Sequence, residues 1–214
     1  MKKVCKYSLS AAILVFLLSQ SVYFEDLKAV REQRRREAFN AAEYAGDLWL
    51  NQLPAALDEA VDVNELIELF NTNMGQAIER YGKTPGVSRV YAYLLRGEGT
   101  ILSIDTDGLK VSVKEPQTDP DVVIETGFYI PGNAVRDASG LIDVSKFSDT
   151  MKFNEIGSEI NKIIVRDVIR PLPDRKPAVG GTIKFFGATQ VSQDAAEENL
   201  LQLIRVIPIR LELE

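Results

Sequence analysis

The stretch VSRVYAYLLRGEGTILSIDTDGLKVSVK, residues 87–114, contains the strand and hairpin pattern from which we predict the fold. Apolar residues recur with a period of about two over residues 87–104, which predicts one long strand. Gly97 and Gly99 interrupt this strand, and glycine inside a strand indicates a bulge or a sharp bend. Asp107-Gly108 then predicts a hairpin turn into a second strand at residues 109–114. A long strand that bends in this way can pair on both of its sides.

A third strand and a helix are predicted downstream of this hairpin. The strand covers residues 122–130, and the stretch PGNAVRDASG (131–140) after it is rich in turn-forming residues. The helix opens at Ser148 or Asp149 and ends before Pro171. The apolar residues of this helix that are expected to face inward are Met151, Ile156, Ile160, Ile163, Ile164 and Val168.

Two more strands complete the C-terminal half, at residues 182–188 and 203–213. Pro208 makes the last one an edge strand or a bulged strand, because proline has no N–H to donate to a neighbour. The order of three strands, a helix and two strands is typical of an OB-like five-stranded, partly open β-barrel. We therefore predict an α+β protein in which residues 87–214 form the barrel domain, with a plain α+β sandwich as the alternative.

The segment before the barrel is predicted to be a helical N-terminal region, residues 25–82. One helix runs from residue 25 to about residue 50, and Pro54 marks a break. Asp62-x-x-Glu65 resembles a capping box and starts a second, amphipathic helix that ends before Gly82. The apolar stripe of this helix consists of Leu66, Phe70, Met74, Ile78 and Tyr81. The barrel is thus predicted to follow a pair of helices.

The first 24 residues have the pattern of a leader. Lys2, Lys3 and Lys6 precede an uncharged apolar stretch, residues 7–24. As a helix this stretch would be about 27 Å long, just short of a hydrocarbon core of about 30 Å. The segment is a membrane anchor or a signal peptide cleaved near Ser19-Gln20-Ser21, with a buried core helix as the third alternative. Lys and Arg flank it on both sides and do not fix its orientation. Because short N-terminal leaders of this form usually deliver the remainder across the membrane, we predict export to the periplasm or the extracytoplasmic face of the membrane.

The composition excludes common catalytic centres. The 214 residues contain no histidine and a single cysteine, Cys5, so histidine-based nucleophile pairs, thiolate metal cages and intrachain disulfides are absent. Removal of residues 1–21 takes away three positive charges and no negative one, which moves the net charge from −6 to −9. We expect no catalytic residue, no cofactor and no metal, and the acidic balance argues against nucleic acid as a partner.

The acidic and glycine-rich segments do not alter this expectation. Asp105-Thr106-Asp107-Gly108 imitates the start of a calcium loop, but its glycine comes two positions too early and no glutamate follows at the required spacing. Gly97-Glu98-Gly99 and Gly180-Gly181 lead into strands rather than helices, so neither is a phosphate loop. A hairpin turn and bends of the backbone explain these residues.

Asn133, Arg136 and Asp137 form the most suggestive polar cluster, between the third strand and the helix. Neighbouring side chains in an extended segment point apart, so Arg136 and Asp137 are each expected to find a partner elsewhere. One interpretation is a structural corner in which the aspartate caps a turn and the arginine binds loop carbonyls. The other is a ligand or partner contact at the barrel mouth, to which Asn161 and Arg166 on the following helix are further candidates.

Several stretches together resemble a known bacterial family. They are YAYLLRGEGTILSIDTDGLKVSV (91–113), AVRDASG (134–140), FSDTMKFNEIGSEINK (147–162), GTIKFFGA (181–188) and VIPIRLEL (206–213). In order and spacing they resemble the predicted periplasmic lipoproteins of domain-of-unknown-function family 2291. The resemblance implies an exported, membrane-tethered protein without an assigned active site, often encoded beside sugar-type ABC transporter components. A lipoprotein carries its lipidated cysteine at the end of the apolar stretch, whereas Cys5 precedes it, so the apolar segment itself is expected to be the tether.

These observations predict a non-enzymatic, membrane-associated extracytoplasmic protein that binds a partner protein or a small ligand. The resemblance makes an accessory role beside a sugar-type ABC transporter the expected context. The alternative is a metal-dependent hydrolase that uses carboxylates alone. Acidic residues clustered around one concavity would favour the hydrolase, but in this sequence they are dispersed over turns and helices.

Overall fold

The computed structural model describes residues 39–114, 119–147, 149–194 and 203–214, so the predicted leader and most of the first predicted helix lie outside the described residues. The elements in chain order are α1 (Ala41–Asp47), a π-helical segment (Leu48–Gln52), α2 (Leu53–Leu57), β1 (Val61–Asp62), α3 (Val63–Thr72), α4 (Met74–Tyr81), β2 (Val90–Asp105), β3 (Gly108–Ser112), β4 (Val122–Ile124), α5 (Ala134–Ser139), a 3₁₀ turn (Val144–Lys146), α6 (Thr150–Ile164) with a π-helical continuation (Val165–Ile169), a second 3₁₀ turn (Pro173–Arg175), β5 (Thr182–Ser192) and β6 (Ile204–Leu213).

Strand β2 closes a barrel because it pairs with two neighbours. Its first part, from Val90 to Thr100, runs antiparallel to β5, and its last part, from Thr100 to Asp105, runs antiparallel to β3. β4 pairs antiparallel with β3 and parallel with β6, and β6 returns to β5. The order β2-β3-β4-β6-β5 therefore closes on β2, while β1 adds a short parallel pairing outside the ring. The predicted OB-like barrel is confirmed, with α5 and α6 between its third and fourth strands.

Of the two features predicted at Gly97 and Gly99, the bulge is wrong in its position, and the sharp bend stays a prediction. Both glycines stay in regular register with β5, and the irregularity in β2 lies between Ile101 and Ser103, opposite β3. Close approach of two backbones explains Gly99 instead: a Cβ at this residue would lie 2.3 Å from the carbonyl oxygen of Ser112. Any larger residue would therefore push β3 away from β2.

The bulge predicted in the last strand is confirmed. Arg210 pairs with Phe186 and Pro208 pairs with Gly187, so one extra residue of β6, Ile209, lies between the two pairs. The missing N–H of Pro208 is accommodated where the ladder is already irregular.

The N-terminal helices differ from the prediction in two places. Pro54 does not end a helix, because it is the second residue of α2 and follows a π-helical segment that continues α1. Proline is tolerated there since the first turn does not use its missing N–H. Asp62 caps α3 as predicted, accepting the Asn64 N–H at 2.8 Å, but the helix ends at Thr72. Asn73 then caps α4 by accepting the Gln76 N–H at 3.0 Å.

The connection from β4 to α6 was predicted poorly. β4 ends at Ile124 rather than at residue 130, and the stretch expected to be a turn contains the helix α5, ended by Gly140 with a left-handed φ of 64°. A helix of six residues is too short for its 3.6-residue period to be recognised in the sequence. The glycine that ends this helix is also typical of a turn.

Helix α6 begins where it was predicted. Asp149 caps it by accepting the Met151 N–H at 2.8 Å. Met151 was predicted to face inward, which is wrong, since it lies in the first turn and is 64% exposed. Phe153 is buried instead, together with the predicted residues Ile156, Ile160, Ile163, Ile164 and Val168.

Replacement of Gly99 by alanine is expected to lower the free energy of unfolding by about 1–3 kcal/mol, because the new methyl group overpacks the β2–β3 contact. Gly46→Ala is the matched control: among the described residues, no heavy atom other than those of its chain neighbours and its own helix backbone lies within 4 Å of a Cβ there. Alanine in the interior of α1 is expected to raise the free energy of unfolding by about 1 kcal/mol. Urea denaturation of the two variants measures both changes. If the free energy of unfolding changes in the same direction in both variants, the role assigned to Gly99 is wrong.

Tyr93 supplies a second prediction, because it is buried without a hydrogen bond for its hydroxyl among the described residues. Tyr93→Phe is expected to raise the free energy of unfolding by about 1 kcal/mol through loss of this unpaired group. Burial also raises the pKa of Tyr93 above the ordinary 10.0, so at higher pH the unfolded chain loses this proton first. The wild type should then lose up to about 1.4 kcal/mol per pH unit relative to Tyr93→Phe. Urea denaturation at several pH values measures this loss. A difference in free energy of unfolding between the two proteins that is the same below and above pH 10 would contradict the prediction.

Candidate functional site

A cleft of about 760 Å³ lies between α1, the segment after β4, and α6 with its π-helical continuation. We call it the α1–α6 cleft. Its lining residues are Ala42, Gly46, Phe128, Tyr129, Ile130, Ser158, Glu159, Asn161, Lys162, Ile163, Val165, Arg166 and Arg170. This volume lies within the range of about 300–1,000 Å³ that is common for sites of small ligands.

Two adjacent aromatic residues line one wall of the cleft and are open to solvent. Phe128 is 71% exposed and Tyr129 is 83% exposed, although aromatic side chains of this size usually bury much of their surface. The guanidinium carbon of Arg170 lies 5.8 Å from the centroid of the Phe128 ring, within the range of a cation–π contact. The wall therefore offers flat apolar surface beside a positive charge.

Basic residues that also line the cleft recur at intervals of four along one helix. Lys162, Arg166 and Arg170 follow one another along α6 and its continuation, which places them near one face of the helix. Lys162 Nζ lies 2.6 Å from Glu159 Oε1. Arg166 donates to both carboxylate oxygens of Asp167, at 2.6 and 2.7 Å, and these hydrogen bonds hold the pKa of Asp167 below its usual value.

Asn161 is one of the predicted site residues, and it lines the cleft. Its Nδ2 donates to the carbonyl oxygen of Gly132 at 2.9 Å, which ties α6 to the segment before α5. Arg166, the other candidate on this helix, also lines the cleft.

Arg136 and Asp137 form a buried pair outside the cleft lining. Arg136 Nε lies 2.7 Å from Asp137 Oδ1, and the two side chains are 5% and 7% exposed. Arg136 Nη1 also donates to the carbonyl oxygen of Phe153 at 3.2 Å and to Asn154 Oδ1 at 3.1 Å. The expectation that Arg136 and Asp137 cannot pair is wrong, because they lie on a helix rather than in an extended segment.

Further contacts complete this buried junction. The guanidinium of Arg136 lies 3.7 Å from the centroid of the Phe153 ring. Asp137 Oδ2 accepts a hydrogen bond from Gln190 of β5 at 3.0 Å. The pair thus connects α5 to both α6 and β5, which is the arrangement expected of a structural corner.

Asn133 packs against α6 one turn before Asn161. A Cβ at Gly157 would lie 2.0 Å from Asn133 Oδ1, so the side chain of Asn133 occupies the space that the glycine leaves open. Arg136, Asn133 and Asn161 therefore make their contacts at successive turns of α6. A binding role for Asn133, Arg136, Asp137 and Asn161 stays a prediction, and of these four only Asn161 lines the cleft.

Sequence reasoning missed Phe128 and Tyr129, because residues 122–130 were assigned to one strand in which aromatic residues are ordinary. It also missed Arg170, which precedes the proline expected to end the helix. The four-residue spacing of Lys162, Arg166 and Arg170 was the available signal for a basic helix face.

The calcium-loop-like segment is a hairpin turn with ordinary contacts. Asp105, in the calcium-loop-like segment, accepts the Asp107 N–H at 3.0 Å and lies 2.9 Å from Lys110. In the part of the chain that the structure describes, no group of three or more acidic side chains could hold a metal ion. Nor do the described ranges contain a helix that is both long and apolar enough to cross a membrane.

The buried pair gives a stability prediction. Arg136→Met is expected to lower the free energy of unfolding by about 3–5 kcal/mol, because it leaves Asp137 charged, buried and without its main partner. Arg166→Met is the matched control, since Arg166 and Asp167 are also adjacent in sequence but exposed, and it should change stability little. Urea denaturation compares the two. A loss for Arg136→Met no larger than that of the control would contradict the structural role.

Known proteins agree with this fold and with the predicted location. Among solved structures, the chain is similar to an OB-fold protein from Thermotoga maritima MSB8, with a TM-score of 0.70 and 26% identity over 83% of this chain and 99% of that one. No curated protein matches the chain.

A family model described as predicted periplasmic lipoprotein (DUF2291) matches residues 12–212. This description confirms the predicted exported, periplasmic localisation. Because the match covers nearly the whole sequence, the chain belongs to the DUF2291 family of predicted periplasmic lipoproteins.

Proposed function

We propose that the protein is a membrane-associated periplasmic binding protein that holds a small ligand in the α1–α6 cleft. It carries out no catalysis and acts as an accessory to a sugar-type ABC transporter. In the form of the chain that keeps its leader, the membrane tether is the apolar segment at residues 7–24.

The exposed aromatic pair in the cleft is the observation that carries this proposal. Phe128 and Tyr129 are among the exposed large apolar side chains of the described residues, and they lie side by side on one wall of a concave site. Aromatic rings in such a position lose little conformational entropy when a ligand covers them, and they bury a large area. A binding role explains why two large rings are left in water.

The polar groups of the cleft fit recognition of a polar ligand. Asn161, Lys162 and Arg166 supply amide, ammonium and guanidinium donors within one helix face. A few such groups in a mainly apolar site fix the orientation of a ligand. The transporter context is supported by the periplasmic family and by the resemblance described above.

The hydrolase alternative has less support. Among the described residues that line the cleft, Glu159 is the single carboxylate, and it is paired with Lys162. A carboxylate mechanism needs a pair of acids or a metal held by several of them.

A ligand titration of the full-length protein in nanodiscs tests the proposal. The panel contains neutral mono- and disaccharides, sugar phosphates and sugar acids, and binding is followed by thermal unfolding and by fluorescence of Trp49, the only tryptophan of the chain. A ligand at about 100 times its Kd should stabilise the fold by about 2.7 kcal/mol, which corresponds to a rise in Tm of about 5–10 °C.

Variants assign the binding to the cleft. Phe128→Ala and Tyr129→Ala should each weaken binding, whereas Val179→Ala, which removes an apolar side chain 64% exposed outside the cleft lining, should not. A photocrosslinker at position 129, compared with one at position 179, should capture a component of a sugar-type ABC transporter in native membranes. The proposal is wrong if no panel member binds and both positions capture the same proteins.

A further inference from the structure

We propose that the ligand of the α1–α6 cleft is a small organic anion: a carboxylate or phosphate attached to a body with a flat apolar face, such as a sugar ring or an aromatic ring. The anion binds to Arg170 and Arg166, and the flat face stacks on Phe128 or Tyr129. This inference rests on the proposed function and specifies the chemistry of its ligand.

The charge of the cleft is opposite to that of the chain. The chain has a net charge of −6, yet the described residues lining the cleft include three cations, Lys162, Arg166 and Arg170, and one carboxylate, Glu159. A concave site with an excess of one sign of charge concentrates ligands of the opposite sign. In a chain that repels anions overall, this local excess of cations favours an anionic ligand.

Arg170 has donor capacity that the described residues do not use. Its guanidinium makes no ion pair with a carboxylate of the described residues, and the contact that it makes there is with the ring of Phe128, whose centroid lies 5.8 Å from the guanidinium carbon. A cation–π contact leaves the N–H groups at the edge of the guanidinium available. The planar fork of donors matches a carboxylate or a phosphate with two parallel hydrogen bonds.

Arg166 can exchange its partner for the ligand. It is 69% exposed on its side chain and Asp167 is 42% exposed, so the ion pair between them is in contact with water. Exposed pairs contribute little to stability, and a ligand anion inside the cleft can replace the carboxylate of Asp167 at small cost. The buried Arg136–Asp137 pair cannot do this, because both members are enclosed.

The shape of the site favours a small molecule over a lipid surface. The cleft has walls from three parts of the chain, α1, residues 128–130 and α6, and a volume of about 760 Å³. A ring with one anionic group occupies such a volume, whereas a bilayer presents its headgroups to convex or flat surfaces. Phe128 and Tyr129 then provide the stacking surface and the two arginines provide the anchor.

Isothermal titration of the full-length protein in nanodiscs of zwitterionic lipid tests the proposal with five probes: glucose 6-phosphate, glucuronate, benzoate, glucose and inorganic phosphate. At least one of the three ring anions should bind about 10-fold or more tighter than both glucose and inorganic phosphate. Its affinity should fall as NaCl is raised, since the attraction is electrostatic. Ring anions that bind no tighter than glucose, or not at all up to about 10 mM, would overturn the proposal.

Substitutions locate the anion. Arg170→Gln should weaken binding of the ring anion by about 10- to 100-fold. Arg210→Gln is the matched control, because Arg210 is also exposed and also stacks on an aromatic ring, that of Phe186 at 4.2 Å, but lies outside the cleft lining. Arg210→Gln should leave the affinity unchanged, and Asp167→Asn, which releases Arg166, should tighten binding. Equal effects of Arg170→Gln and Arg210→Gln would overturn the assignment.

The same measurements separate this inference from the proposed function. If glucose binds, and its binding is lost in Phe128→Ala but unaffected by Arg170→Gln, the inference of an anionic ligand is wrong. The proposed function of the cleft as a ligand site would then still stand. Failure of every neutral and anionic ligand, together with the absence of a specific crosslink at position 129, would overturn both. Cosedimentation with phosphatidylglycerol vesicles that depends on Arg170, without binding of the soluble probes, would assign the surface to lipid instead and overturn the proposal.

Discussion

The barrel depends on the approach of β2 to β3 at Gly99, where the absence of a side chain leaves room for the backbone of Ser112. Because Thr100 pairs with both β3 and β5, the two halves of β2 close the ring. Closure brings β4 beside β6 in parallel and makes the chain cross from β4 to β5 through α5 and α6. The cleft is built on this crossing connection, so its geometry follows from closure of the ring.

Helix α6 separates the structural contacts from the candidate ligand contacts. Its N-terminal half receives α5 and the segment before it, through Arg136 at Phe153 and Asn154 and through Asn133 at Gly157. Further along, Lys162, Arg166 and Arg170 line the cleft. Buried charges need permanent partners, whereas charges that bind a ligand must remain exchangeable. The arrangement therefore explains why Arg136 and Asp137, the most conspicuous polar pair in the sequence, lie outside the cleft lining.

Short-range signals predicted the parts of the fold that depend on neighbouring residues. The alternation before Asp107-Gly108, the aspartate caps at Asp62 and Asp149, and the irregularity beside Pro208 were all predicted where they occur. The bulge in β2 was misplaced, because a glycine required by a close backbone approach looks the same in sequence as one required by a bend. Asn161 and Arg166 were predicted as site residues and line the cleft, but Phe128, Tyr129 and Arg170 were not.

Local pattern and composition were sufficient to predict the order of the strands along the chain, the exported character of the chain and the absence of histidine and cysteine from the part after residue 5. Which polar residues are buried partners and which line a cleft depends on the packing of distant segments. Arg136 donates hydrogen bonds to Phe153 and Asn154, and Asp137 accepts one from Gln190 of a distant strand, because the helices pack against the barrel. The walls of the cleft come from three separate stretches of the chain, and their proximity depends on long-range pairing that no local pattern contains.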